Sequence, residues 1–214
     1  MKKFLEFGIP KEKMVYSDYG FNMNYFKDIK KKKIAAIRFG YIGTLIPTKG
    51  VNVLIRAFNE IEDKKIKLKI FGPYLRDTDR LKAMVKNGNI KFMGGYKNWE
   101  VGNVLSDLDV IVVPSIWYEN SPLVIHEAFL AKIPVIASNA GGMAELVQHM
   151  KNGLLFKIGD PMDLGRKIDL LIKNPEMIRK LGQNAPAVKT IEENANELLD
   201  FYRMFMHSRR SPII

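Results

Sequence analysis

The chain of 214 residues contains no cysteine. That excludes disulfides and thiol catalysis and fits a reducing compartment. Histidine is scarce, with three in all, and His126, His149 and His207 form no cluster at metal-ligand spacing. Each reads as a helix-surface or tail residue. Asp77-Thr78-Asp79 has an Asp-x-Asp spacing but falls at an expected helix start, where acids belong anyway. No uncharged apolar run approaches the roughly 18 residues needed to span a membrane. The opening "MKKFLEFGIPKEK" carries lysines but no sustained apolar core, so no signal peptide is expected. No G-x-G-x-x-G follows the first expected strand, where the chain reads "GYIGTLIPTKG", which disfavours an NAD-linked enzyme. No internal repeat is visible.

What the chain has in surplus is positive charge, a formal net of +11. Residues 1–33 hold nine lysines against four acids, including the run Lys30-Lys31-Lys32-Lys33, and Arg203, Arg209 and Arg210 add to the far end. Such a surplus favours phosphates or lipid headgroups, or is simply a solvated face. The lysines are not interleaved with aromatics as a nucleic-acid stacking platform requires, so no nucleic acid is expected as partner. A cytoplasmic chain with peripheral contact to anionic membrane fits this charge.

The length suits one large domain, or one domain with an extension. Apolar runs expected as strands (34–43, 66–72, 89–95, 108–115, 134–138 and 153–156) alternate with amphipathic stretches expected as helices (50–61, 77–88, 98–107, about 122–132, and 143–149). Helices at about 161–173, 175–183 and 189–206 follow. Alternation with short connections predicts a Rossmann-like, doubly wound α/β fold around a parallel six-stranded sheet. The expected divisions are a basic linker over 1–33, the sheet domain over 34–183, and a helix with a basic tail over 184–214.

In the strand order 3-2-1-4-5-6 the first and fourth strands are neighbours, and a crevice opens at their carboxyl ends. The loop after strand one, "GTLIPTKG", carries Lys49; the loop after strand four, "PSIWYENSP", carries Glu119. Topology alone brings the two together. Ser121 can cap the next helix with Pro122 as its first residue. The free N–H groups of that first turn, beside a lysine, suit a phosphate. Gly72 and the Gly94-Gly95-Tyr96 turn end on the same sheet edge, where a flat base could approach the backbone. Glu127 stands about five residues into the helix, roughly 7–8 Å along its axis. That is too deep for a phosphate at the tip but suited to vicinal hydroxyls such as those of a ribose. Taken singly, Glu119 and Glu127 read as a loop acid and a helix-surface acid.

These residues also form a known pattern. "GYIGTLIPTKGVNVLIRAF", "LDVIVVPSIWYENSPLVIHEAFLAKIPVIASNAGGMAELV" and "NGLLFKIGDPMDLGRKI" resemble the C-terminal, donor-binding half of GT-B-fold retaining glycosyltransferases of family 4, the glycosyl transferases group 1. Glu119 and Glu127 match the family's E-x7-E pair. The resemblance covers about residues 34–183. It implies a UDP- or GDP-hexose as donor, transfer with retention, no metal or other cofactor, and work in polysaccharide or glycolipid synthesis. It also implies roles: Lys49 on the diphosphate, Glu119 at the transferred sugar, and Glu127 on the ribose. Backbone at Gly43, Ser121, Leu123 and Val124 would hold phosphate or sugar, and Gly72 and Tyr96 would border the base. Thr44 stands where the family commonly has a second phosphate-neutralising arginine; Arg38, Lys97 or another cation would have to substitute. Residues 8–26 resemble the segment between the family's two domains. By this likeness the chain is half of an enzyme: a truncated chain, an incomplete reading frame, or one subunit of a split transferase. The acceptor-binding domain would be supplied in cis or in trans. A non-catalytic nucleotide-binding subunit, docking a partner through Phe201, Tyr202, Met204, Phe205 and Met206, is the alternative.

Overall fold

The computed structural model describes residues 2–27, 29, 36–63 and 65–208. The lysine run 30–33, the start of the first expected strand at Ile34 and Ala35, and Arg209 and Arg210 lie outside the described residues, as does the side chain of His207. Two compact units are present. One joins residues 1–23 to 188–214, and the other is residues 24–187.

In the first unit a short helix, α1 (Lys2–Glu6), precedes an extended segment, and a long helix, α9 (Ile191–Ser208), follows from the other end of the chain. Thr190 and Glu193 close a reciprocal cap on α9. The Thr190 Oγ1 accepts from Glu193 N (3.0 Å), and Glu193 Oε2 accepts from Thr190 N (2.7 Å). Phe21 exchanges backbone hydrogen bonds with Lys189 and Ile191, and Ser17 donates to Glu197 at 2.7 Å. Tyr202, Met204, Phe205 and Met206 of α9 are exposed. Arg203 pairs with Asp200 (3.1 Å). Among the described residues no helix is long and apolar enough to cross a membrane.

The second unit is built on six parallel strands: β1 (Ile37–Ile42), β2 (Ile66–Phe71), β3 (Ile90–Gly94), β4 (Val110–Val113), β5 (Val135–Ser138) and β6 (Gly153–Phe156). Their order is β3-β2-β1-β4-β5-β6, so β1 and β4 are neighbours as the alternation predicts. The central strands are apolar on both faces and wholly buried, as a parallel sheet demands. The crossovers are α2 (Val51–Asn59), α3 (Thr78–Ala83), α4 (Val101–Ser106), α5 (Leu123–Leu130) and α6 (Gly141–Leu146). The helices α7 (Pro161–Lys173) and α8 (Pro175–Gln183) then return across the sheet unit.

The helices form because their apolar residues recur at helical spacing. In α2, Val51, Leu54, Ile55 and Phe58 are buried, and Phe58 meets Phe39 of β1 edge-on with centroids 5.4 Å apart. In α7, Leu164, Ile168 and Leu171 join the same core. Asp160 caps α7 by accepting from Met162 N and Asp163 N at 3.0 and 3.1 Å, with Pro161 as its first residue.

Arg38 corrects one expectation. It is 2% exposed and sits near the start of β1, at the amino edge of the sheet. Its guanidinium grips Asp109 through Nε (2.8 Å) and Nη2 (2.7 Å) and reaches Asp107 at 3.2 Å. Lys69 also pairs with Asp107. A buried arginine needs such partners, and this one latches β1 to the start of β4. It is at the wrong end of the sheet to replace a cation at Thr44.

Candidate functional site

At the carboxyl edge the loops after β1 and β4 are stitched together. Ile116 N donates to the Thr48 carbonyl at 2.9 Å. The Lys49 ammonium, carried on a tight turn over Pro47–Lys49, lies 2.6 Å from Glu119 Oε1. The Ser115 hydroxyl, in a residue 1% exposed, lies 2.9 Å from the same oxygen. The Glu119 side chain is 16% exposed and that of Lys49 34%, so the pair forms a wall open to solvent on one side.

The Glu119 loop has a seat. Its carbonyl accepts from Gly142 N at 2.7 Å, and Glu119 N donates to the Trp117 carbonyl. A Cβ at Gly142 would lie 1.5 Å from the Asn120 carbonyl oxygen, so only glycine admits the loop this close.

The helix after β4 starts one residue later than expected. Pro122 is its cap residue, extended at ψ 116°, and makes no side-chain cap bond. Ser121 does not cap it; its hydroxyl lies 2.9 Å from His126 Nε2. His126 is therefore not a surface residue: it is buried one turn into α5, beside Ile125 and Ala128. His149 lies in an exposed turn rather than on a helix, its Nδ1 accepting from Leu155 N. Leu123 and Val124 begin α5, where first-turn amides have no acceptor within their own helix.

Glu127, on the second turn of α5, is half-buried, and its carboxylate has no hydrogen bond or ion pair among the described residues. Burial alone pushes its pKa up to about 7. Tyr96 packs edge-on against Phe71 at 6.1 Å. Burial, and next the Glu127 carboxylate, hold its phenol proton above the usual tyrosine range. Tyr41 is raised likewise by burial, then by Glu119, and donates to the Thr44 carbonyl at 2.8 Å. Gly43 N donates to the Phe71 carbonyl, and a Cβ on Gly72 would lie 2.1 Å from the Gly43 carbonyl oxygen. The turns after β1 and β2 therefore touch backbone to backbone. Thr44 itself is exposed. Lys97 places its ammonium 5.1 Å from the Trp99 ring centroid.

The structure thus joins Lys49 to Glu119, on the loop that leads into α5, and sets Glu127 near enough to Tyr96 to affect its phenol. Ser115, Thr48 and Gly142 join the site unforeseen from the sequence, and His126, expected at a helix surface, is buried. "VVPS" and "GGMAEL" were the available signals, since a buried polar residue and paired glycines at a strand end mark a tightly packed turn.

A parallel six-stranded sheet in this order, flanked by helices, is a Rossmann-like fold, and it matches the corresponding part of GT-B glycosyltransferase structures. The chain belongs to the glycosyl transferases group 1 family, whose model matches residues 24–188. It is 33% identical over 144 residues to an uncharacterized glycosyltransferase of Methanocaldococcus jannaschii, covering 67% of this chain and 40% of that protein. It superposes on an Anabaena protein crystallised with UDP-glucose (TM-score 0.80, 21% identity, 95% of this chain and 61% of that one). It also superposes on the C-terminal domain of a glycosyl transferase group 1 family protein from Francisella tularensis (TM-score 0.63, 27% identity, 74% and 85% covered). The chain spans about two fifths of the length of curated relatives that it matches.

Proposed function

We propose that the chain is the donor half of a retaining, family-4 type glycosyltransferase. It binds a UDP- or GDP-hexose and presents it to an acceptor held by a further domain, in cis or in trans. The observation that carries this reading is the contact of Lys49 with Glu119 between the loops after β1 and β4, the second of which leads into the amide-bearing start of α5. A cation and a helix start at one point suit a diphosphate. As the anomeric bond breaks, its electron pair leaves on the diphosphate, and Lys49 with the α5 amides stabilises that charge. Glu119 meets the sugar, where positive charge grows. Glu127, about one turn into α5, meets the ribose hydroxyls, and Tyr96 with Gly72 borders the base. The Anabaena protein's complex with UDP-glucose supports a nucleotide-sugar as ligand. No residue in this set requires a metal.

The test is a thermal-shift screen of UDP-, GDP- and ADP-sugars on this chain. The matching nucleotide raises the midpoint most, because binding stabilises the folded state by mass action. A flat response to every nucleotide, repeated with an acceptor domain added, overturns the proposal. The exposed apolar residues of α9 favour a second reading, a nucleotide-binding subunit that completes its site with a partner chain. Co-purification with a chain that carries an acceptor domain supports it.

A further inference from the structure

We infer that Ser115 is a positioning residue that fixes which oxygen of Glu119 faces the donor sugar. The inference rests on the function proposed above. Glu119 Oε1 is held twice, by Lys49 Nζ at 2.6 Å and by Ser115 Oγ at 2.9 Å. Oε2 has no hydrogen bond among the described residues. The carboxylate is therefore anchored by one oxygen and presents the other.

The single hydroxyl proton of Ser115 has three acceptors within reach: Glu119 Oε1 at 2.9 Å, the Thr48 carbonyl at 3.0 Å and the Trp117 carbonyl at 3.4 Å. The Thr48 carbonyl already accepts from Ile116 N, and the Trp117 carbonyl from Glu119 N. Glu119 Oε1 is the nearest of the three and the only one with a formal negative charge, so it takes the proton. Ser115 Oγ in turn accepts from Trp117 N at 3.3 Å. The hydroxyl is thus oriented from the backbone side and donates toward the carboxylate. Ser115 is 1% exposed and cannot itself reach a bound sugar. Its action passes through Glu119. Lys49 alone would tether the carboxylate at the end of a long, rotatable side chain. The buried hydroxyl removes that freedom, and orientation of this kind is what positions a substrate hydroxyl.

UDP and GDP have no sugar and do not read the orientation of Glu119; UDP-glucose and GDP-mannose do. Calorimetry on the full chain compares each diphosphate with its sugar conjugate in wild type, Ser115→Ala and Ser115→Thr. The expected result for Ser115→Ala is a sugar-nucleotide affinity lower by about tenfold, the loss of one charge-assisted hydrogen bond, with the free diphosphate affinity unchanged. Ser115→Thr, which keeps the hydroxyl, restores the difference. A parallel fall in both ligands, or no change in either, overturns the inference. A crystal structure of ligand-free Ser115→Ala reads the anchor directly. Glu119 with Oε1 still seated as in wild type overturns the inference, and a turned carboxylate supports it. If wild type binds no nucleotide at all, the proposed function falls, and the ligand-free structure decides the anchoring by itself.

Discussion

Glu119 and Glu127 are the same residue type, eight positions apart on one loop-and-helix segment, yet they live in opposite environments. Glu119 is tied to a lysine and a serine and hangs from a loop whose carbonyl is bolted to Gly142. Glu127 is fixed by its helix, has no hydrogen bond or ion pair among the described residues, and burial raises its pKa to about 7. One carboxylate is satisfied within the chain and exposes a spare oxygen. The other has no hydrogen-bond donor among the described residues. On the proposed function, a carboxylate short of donors supplies the spare acceptor capacity that a neutral diol would use.

The contrast can be broken most severely at the seat. Gly142→Ala drives a methyl into the Asn120 carbonyl, and we expect a stability loss on the order of 4 kcal/mol in chemical denaturation, beyond the usual range for a single substitution. Sugar-nucleotide binding should weaken with it, while Glu127, on the far side of α5's start, keeps its raised pKa.

Glu127→Gln sharpens the other side. Its folded pKa of about 7 stands above the ordinary 4.5, so the folded chain holds a proton that the unfolded chain releases. Stability therefore falls as pH rises from about 4.5 through 7, and the penalty is complete above that window. The glutamine variant should be more stable than wild type at pH 8 by up to about 3 kcal/mol, with the gap mostly closed at pH 5. Equal gaps at both pH values would show that Glu127 is solvated. Lys49→Ala should lower sugar-nucleotide affinity about thirtyfold, ~2 kcal/mol. Unfolding should shift by under about 1 kcal/mol, because the pair is partly exposed. Ser121→Ala removes one hydrogen bond to His126 and should cost about 1 kcal/mol in thermal unfolding.

The fold and the meeting of Lys49 with Glu119 were legible because both follow from alternation: six strand-like runs with short crossovers leave one economical topology, and that topology sets which loops are neighbours. What escaped depended on contacts distant in sequence or on helices without a polar face. α5 is apolar on nearly every side, so nothing in its pattern distinguished a buried His126 from a surface one. Ser121-Pro122 matched a capping pattern, but the serine hydroxyl turned to the imidazole and the helix began at Leu123. α3 stops at Ala83 rather than near Gly88, because the Asn59 amide receives Lys86 N and donates to the Met84 carbonyl, turning the chain. The start of α6 at Gly141 was missed because paired glycines discourage a helix, and only packing against residues 118–120 accounts for them.

The pairing of Lys49 with Glu119 spans 70 positions of chain. Contacts of that separation are among the slow events in folding, because loop closure must precede them. The crevice therefore exists only once β1 and β4 have found each other. A ligand bound there would leave the folding rate untouched and slow unfolding alone, a kinetic lock on the finished sheet.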